Sequence, residues 1–129
     1  MERAAQILAG LFVLVLVAAS VSNMFNPANV AETAGFNPTS NYGLTNMRTL
    51  GAPTLRSAII TAIGIYSKEW MLILPAAMYF GFNLTARLIS IAVEGFEPVM
   101  VRGLGITSTL FILALVAVYL FNRIKAQTA

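Results

Sequence analysis

Hydrophobic residues dominate four stretches of this chain, and polar residues gather between them. The first apolar stretch covers 4–25, and three more follow at about 44–66, 68–93 and 97–121. Each reaches about 20 residues, the length that an α-helix needs to cross the hydrocarbon core of a bilayer. The pattern predicts an all-α fold, with one transmembrane domain over 1–129 built as an integral membrane four-helix bundle.

The first apolar stretch has a second interpretation. Arg3 precedes it, and the small residues Ala18, Ser20 and Ser22 near its end are also compatible with a secretory signal peptide. The apolar core of a signal peptide is shorter, however, at about 7–15 residues. We therefore expect this segment to be retained as a transmembrane helix.

A long polar stretch at 26–43 separates the first two predicted helices. It is rich in Asn, Pro, Thr, Ser and Gly, and the triplet Phe-Asn-Pro occurs at 25–27 and again at 36–38. Because Asn-Pro favours turn initiation, we predict a loop with two turns whose aromatic rings rest at the membrane interface. A short amphipathic helix over 28–34 is expected between the turns.

The charges outside the apolar stretches predict the orientation. The chain ends and the second connection carry the basic residues Arg3, Lys68, Arg123 and Lys125. The first and third connections carry the acidic residues Glu32, Glu94 and Glu97. Cytoplasmic segments are enriched in Lys and Arg. We therefore expect both termini to be cytoplasmic (N-in and C-in), and 26–43 to be an outer loop.

Composition favours a membrane protein and argues against several functions. The 129 residues are 58% hydrophobic and 10% charged, whereas about a quarter of a soluble domain is charged. The chain has no His and no Cys, so the usual ligands of haem, zinc, copper and iron–sulfur clusters are missing, as is the most frequent general acid–base. We expect no enzyme activity, no metal and no cofactor held by side-chain ligation, while contact with a lipid, quinone or pigment stays open. The scattered basic residues argue against nucleic acid.

Counting residues along each helix brings several polar side chains together near the outer surface. The predicted ligand or salt-bridge cluster consists of Arg48, Asn83, Arg87, Ser90, Glu94, Glu97 and Arg102. Its members in the third helix are spaced by four, three and four residues, which places them on one helix face. Two interpretations remain open: a salt-bridge network that ties three helices together, and a site for a lipid head group or another anion.

Arg56 lies much deeper than this cluster. It is about 18 Å along the second predicted helix at 1.5 Å per residue, close to the middle of the bilayer. A guanidinium there costs at least ~2.5–3.5 kcal/mol and cannot be deprotonated. Since no acidic residue of this chain lies at that depth, pairing with carbonyls or hydroxyls of the chain itself and contact with a partner or lipid are both expected possibilities.

Two short patterns suggest a family. Thr45-Asn46-Met47-Arg48 with Gly51 opens the second helix, and the 86–90 segment followed by Glu94-Gly95 closes the third. With these patterns, 43–120 resembles small bacterial four-helix membrane proteins of unknown function, similar in outline to DoxX-like proteins, although Ala52 and Ala86 stand where Gly is common. The resemblance implies the bacterial cytoplasmic (inner) membrane and a signature of paired arginines, and it implies no reaction.

These observations lead to two functional hypotheses. The first is a non-catalytic accessory or structural subunit of a larger bacterial inner-membrane complex, which packs through its helices and outer loop against lipids and other integral membrane subunits. The alternative is a binding or transport module for an anionic lipid, quinone or similar amphiphile at the outer arginine cluster.

Overall fold

The computed structural model describes residues 1–33 and 37–129, and within these ranges the regular structure is entirely helical. The α-helices are α1 (Glu2–Phe25), α2 (Pro27–Thr33), α3 (Asn41–Thr49), α4 (Gly51–Ser67), α5 (Leu74–Glu94) and α6 (Met100–Thr128), and a 3-10 turn at Trp70–Leu72 precedes α5. The predicted all-α class is confirmed. By length and composition, α1, the segment Trp70–Glu94 and α6 are each able to cross a membrane, which indicates a membrane protein.

The single helix predicted over 44–66 is divided into α3 and α4 at Leu50. Pro53 explains the division, because it has no N–H to donate to the carbonyl of Thr49 and its ring crowds that carbonyl. Leu50 still has right-handed helical angles, φ −65° and ψ −23°, so the interruption is local. The 17 residues of α4 span only about 26 Å, less than the ~30 Å of a hydrocarbon core.

The predicted outer loop contains regular structure on both sides of residues 34–36. Helix α2 begins at Pro27, a residue that suits the first helical turn because the N–H there has no partner within the helix. Its residues Pro27 and Ala31 are buried, and α2 packs against both α1 and α3. The end of the predicted short helix at Ala34 and the second aromatic ring at Phe36 lie outside the described residues.

The two ends of the molecule can be recognised from their contacts. Lys68 Nζ lies 2.5 Å from a carboxylate oxygen of Glu2, and Lys125 Nζ lies 2.7 Å from one of Glu69. We call the end with these four residues the terminal end, and the opposite end, which contains α2 and α3, the loop end. Because the partners come from the start of α1, the α4–α5 connection and the end of α6, neighbouring long helices along the chain run in opposite directions.

The helices pack through small side chains and point most large ones outward. Helix α1 lies against α4 and α6, and α5 lies against α6. The buried alanines of the four long helices are Ala5, Ala9, Ala58, Ala76, Ala77, Ala114 and Ala117. The rings of Phe12 and Phe80 meet edge to face at the centre, with centroids 5.8 Å apart, whereas many large apolar side chains, such as Leu14 and Ile112, are exposed. Small residues at helix contacts are typical of membrane helices, and so broad an apolar surface is typical of one covered by lipid or protein.

Candidate functional site

A groove of about 620 Å³ opens at the loop end, between the last turns of α1, helix α2 and the first turns of α6. Its volume falls within the ~300–1,000 Å³ of typical ligand pockets. The residues that line it are Ala19, Ser22, Asn23, Asn26, Asn29, Val30, Thr33, Pro98, Val99, Arg102, Gly103 and Ile106. The groove therefore combines one basic residue and several amide and hydroxyl groups with an apolar wall. We call it the loop-end groove.

Arg102 is the charged residue of this groove. It stands in the first turn of α6, where it is exposed, and its Nη1 donates a hydrogen bond to the backbone carbonyl of Thr33 at 3.3 Å. Thr33 ends α2, so this bond joins the short helix to α6. A guanidinium has five N–H donors in a fixed fork. Arg102 can therefore hold α2 in place and also donate to an anion in the groove.

The other two arginines of the predicted cluster lie near the loop end but not in the groove lining. Arg48 Nη1 donates to the backbone carbonyl of Met24 at 3.3 Å, which connects α3 to the last turn of α1. The guanidinium of Arg87 rests on α6 at Gly103, where Nη1 would be only 2.5 Å from an added Cβ. A glycine at 103 thus lets the charge of Arg87 approach the backbone that lines the groove.

The remaining cluster residues are placed less centrally. Asn83 Nδ2 donates to the carbonyl of Tyr79 in its own helix at 3.0 Å, and Ser90 is half-buried. Glu94 and Glu97 are exposed, and in the described part of the chain the ion pairs are the two at the terminal end. Arg48 and Arg102 thus donate to backbone carbonyls and Arg87 lies against Gly103. The predicted salt-bridge network stays a prediction.

Arg56 lies on the outer face of α4, near the middle of the helix pair α1 and α4. Gly51 approaches the backbone of Ser20, with its would-be Cβ 2.8 Å from the Ser20 carbonyl oxygen, and Lys68 pairs with Glu2 at the other end. Arg56 follows Gly51 by five residues, about 7.5 Å along the helix. It is therefore level with the central part of α1, and its side chain is exposed.

Sequence reasoning missed the amides of the groove. The sequence places Asn23 in the first predicted helix, Asn26 in a turn and Asn29 in the predicted short helix over 28–34, whereas the structure places all three in the groove lining. Their spacing of three residues was the available signal, because residues three apart in consecutive helical turns share a face. The signal was hidden by Pro27, which starts a new helix between them.

The polar groups of the groove can donate and accept hydrogen bonds. They are a guanidinium, amides and hydroxyls. Within residues 1–33 and 37–129, no group of three or more His, Cys, Asp or Glu residues is arranged to hold a metal ion.

Comparison with known proteins gives no relative: no family model, no curated protein and no solved structure matches this chain. The resemblance to DoxX-like proteins therefore stays a prediction.

Proposed function

We propose that this protein is a non-catalytic subunit of a larger complex in a bacterial inner membrane, which it crosses four times. The fourth span is α4, whose 17 residues are at the lower limit of the ~17–25 that suffice, extended at the loop end by α3. The outward-facing apolar side chains and the small residues between helices support an arrangement in which lipid and partner subunits cover the bundle.

We further propose that both termini are cytoplasmic. In support, the terminal end carries Lys68 and Lys125 beside Arg3 and Arg123, whereas the connections at the loop end, 26–40 and 95–99, contain no Lys or Arg in their sequence. Lys and Arg in short loops near the ends of membrane helices set the orientation, and acidic residues contribute little.

The absence of native cysteine makes this orientation testable with single-cysteine variants. We expect Ser40→Cys, in the loop, to react with a membrane-impermeant maleimide added to intact spheroplasts. Thr128→Cys, at the end of α6, should react only after the membrane is permeabilised, because it faces the cytoplasm. The reverse labelling pattern would refute the proposed orientation.

The observation that carries the proposed function is the exposed guanidinium of Arg56 at mid-height. In a bilayer this group would face hydrocarbon, at a cost of at least ~2.5–3.5 kcal/mol. The acidic residues of the chain, Glu2, Glu32, Glu69, Glu94 and Glu97, all lie near one end or the other. A second copy packed side by side therefore cannot bring a carboxylate to Arg56, whereas a different subunit with an Asp or Glu at the middle of a membrane helix can.

Co-purification in a mild detergent tests this proposal. We expect the tagged wild-type protein to remain in a hetero-complex and Arg56→Leu to be released from it, because the partner carboxylate loses its counter-ion. Arg3→Leu, an exposed arginine at the terminal end, serves as the matched control and should stay in the complex. Circular dichroism should show the same helix content in all three proteins.

A charge exchange makes this result specific. If Arg56→Glu disrupts the complex and a Lys at the mid-membrane Asp or Glu of the partner restores it, the proposed ion pair is supported. A wild-type protein that purifies as a lone monomer or homo-oligomer would refute the proposal, as would an Arg56→Leu variant that assembles like the wild type.

A further inference from the structure

We propose that the loop-end groove binds an amphiphile with an anionic phosphate head group, such as an acidic phospholipid of the outer leaflet. This site is independent of the interface proposed for Arg56, since it lies at the end of the bundle and on α1, α2 and α6. Four features of the groove lead to this ligand class: its positive charge, its amide lining, its apolar wall and its height in the bundle.

The positive charge comes from three sources that meet at the first turns of α6. Arg102 lines the groove directly, and the guanidinium of Arg87 lies against Gly103, which is also part of the lining. Helix α6 has 29 residues and begins at Met100, beside the groove residues Pro98 and Val99, so its partly positive N-terminus adds to the charge. The acidic residues nearest in sequence, Glu32 beside Thr33 and Glu97 beside Pro98, are exposed and do not line the groove.

The amides give the head group further partners. Asn23, Asn26 and Asn29 approach from α1 and α2, opposite Arg102 on α6. Carboxamides donate and accept hydrogen bonds, so they suit the phosphate oxygens together with the ester and hydroxyl groups of a glycerol unit. A guanidinium opposite amides recognises a charged phosphate more strongly than a neutral carbonyl, because charge-assisted hydrogen bonds are about twice as strong as neutral ones.

The apolar wall distinguishes an amphiphile from free phosphate. The same groove is lined by the apolar side chains of Ala19, Val30, Val99 and Ile106. An inorganic anion would leave these side chains in contact with water. An acyl chain leaving a head group at Arg102 would instead run along α1 toward the middle of the bundle, where Val15, one helical turn from Ala19 on the same face of α1, is apolar and exposed.

The height of the groove matches the boundary between head groups and acyl chains. It is formed by the last turns of α1 and the first turns of α6, and these are the ends of two helices that are long and apolar enough to cross a membrane. Helix α2 covers the groove from above and is joined to α6 through the Thr33–Arg102 hydrogen bond. A lipid head group would therefore lie beneath α2, with its phosphate level with Arg102.

Native mass spectrometry of the delipidated protein tests this site with two lipids of identical acyl chains. We expect dioleoyl phosphatidic acid to be retained and dioleoylglycerol, which lacks the phosphate, to be lost. Arg102→Gln should weaken retention of phosphatidic acid by about ten-fold or more, since a hydrogen bond to a charged group contributes roughly 1.5–3 kcal/mol. Arg123→Gln, an exposed arginine at the terminal end, should bind like the wild type.

A second pair of variants examines the apolar wall. Ala19→Phe should fill the groove and reduce lipid retention, whereas Ala18→Phe, exposed but outside the lining, should not. Equal retention of the two lipids, or equal binding by Arg102→Gln and Arg123→Gln, would overturn the proposal. Displacement of the lipid by millimolar inorganic phosphate would also overturn it, because it would show a simple anion site. Unchanged helix content in each variant excludes unfolding as the cause.

Discussion

Gly51→Ala is expected to destabilise the protein by about 1–3 kcal/mol, the usual cost of overpacking a tight contact. An added Cβ would lie 2.7 Å from Met24 Cγ and 2.8 Å from the carbonyl oxygen of Ser20. Met24 can rotate away, but the Ser20 carbonyl belongs to the backbone of α1. The whole of α4 must therefore move away from α1, and the contact between these helices is one of the most extensive in the fold.

The measurement is unfolding by SDS in mixed micelles, followed by circular dichroism and by the fluorescence of the single Trp, Trp70. Gly105→Ala is the matched control, because its Cβ would meet nothing within 4 Å. In α6 that change replaces a poor helix former by the best one, so we expect the free energy of unfolding to rise by up to ~1 kcal/mol. Equal effects of the two substitutions would show that the α1–α4 contact is not tight at Gly51.

Phe12→Ala should lower the free energy of unfolding by roughly 2 kcal/mol. Phe12 is 1% exposed and meets the edge of Phe80 at the centre of the bundle. Phe→Ala in a water-soluble core costs about 3–5 kcal/mol, but part of that cost is transfer from water. Membrane helices are already in an apolar solvent before they pack, so we expect mainly the loss of packing contacts around the cavity.

Leu11→Ala, one residue away, is the control for this prediction. Leu11 is 58% exposed on the outer face of α1, where lipid or detergent can fill the space left by the shortened side chain. Its effect should stay within about 0.5 kcal/mol, as for most surface changes. The same SDS titration measures both variants. If Leu11→Ala lowered the free energy of unfolding more than Phe12→Ala, the bundle would have to be packed through the opposite face of α1.

Much of the helical layout could be predicted because it depends on local properties. Long apolar runs indicate helices able to span a membrane, and α1 and α6 follow directly from them. The interruption at Leu50 was harder to anticipate, because Pro53 is compatible with either a continuous, kinked helix or a new start. Whether the helix is kinked or divided depends on how α3 packs against α1 and α2. Both of those helices precede α3 in the chain and are separated from it by the loop.

The candidate site was only partly predictable for a related reason. The number of residues from a helix end indicates how far along the helix Arg102 or Arg87 lies, since the rise per residue is constant. It does not indicate which neighbour each side chain meets. Helix α2 folds over the start of α6 and brings the Asn23, Asn26 and Asn29 amides opposite Arg102, and no pattern within either segment specifies that approach.

The sequence alone predicts the all-helical class, three segments that are long and apolar enough to cross a membrane, and the position of Arg56 between the two ends of the bundle. Each of these follows from hydropathy and helix geometry within one segment. Only the helix packing shows that Arg56 faces outward, that Arg48 and Arg102 donate to backbone carbonyls, and that a groove opens beside Arg102. Which way a side chain faces depends on the small residues that let helices approach, such as Gly51 against Ser20, and those contacts join residues far apart in the chain.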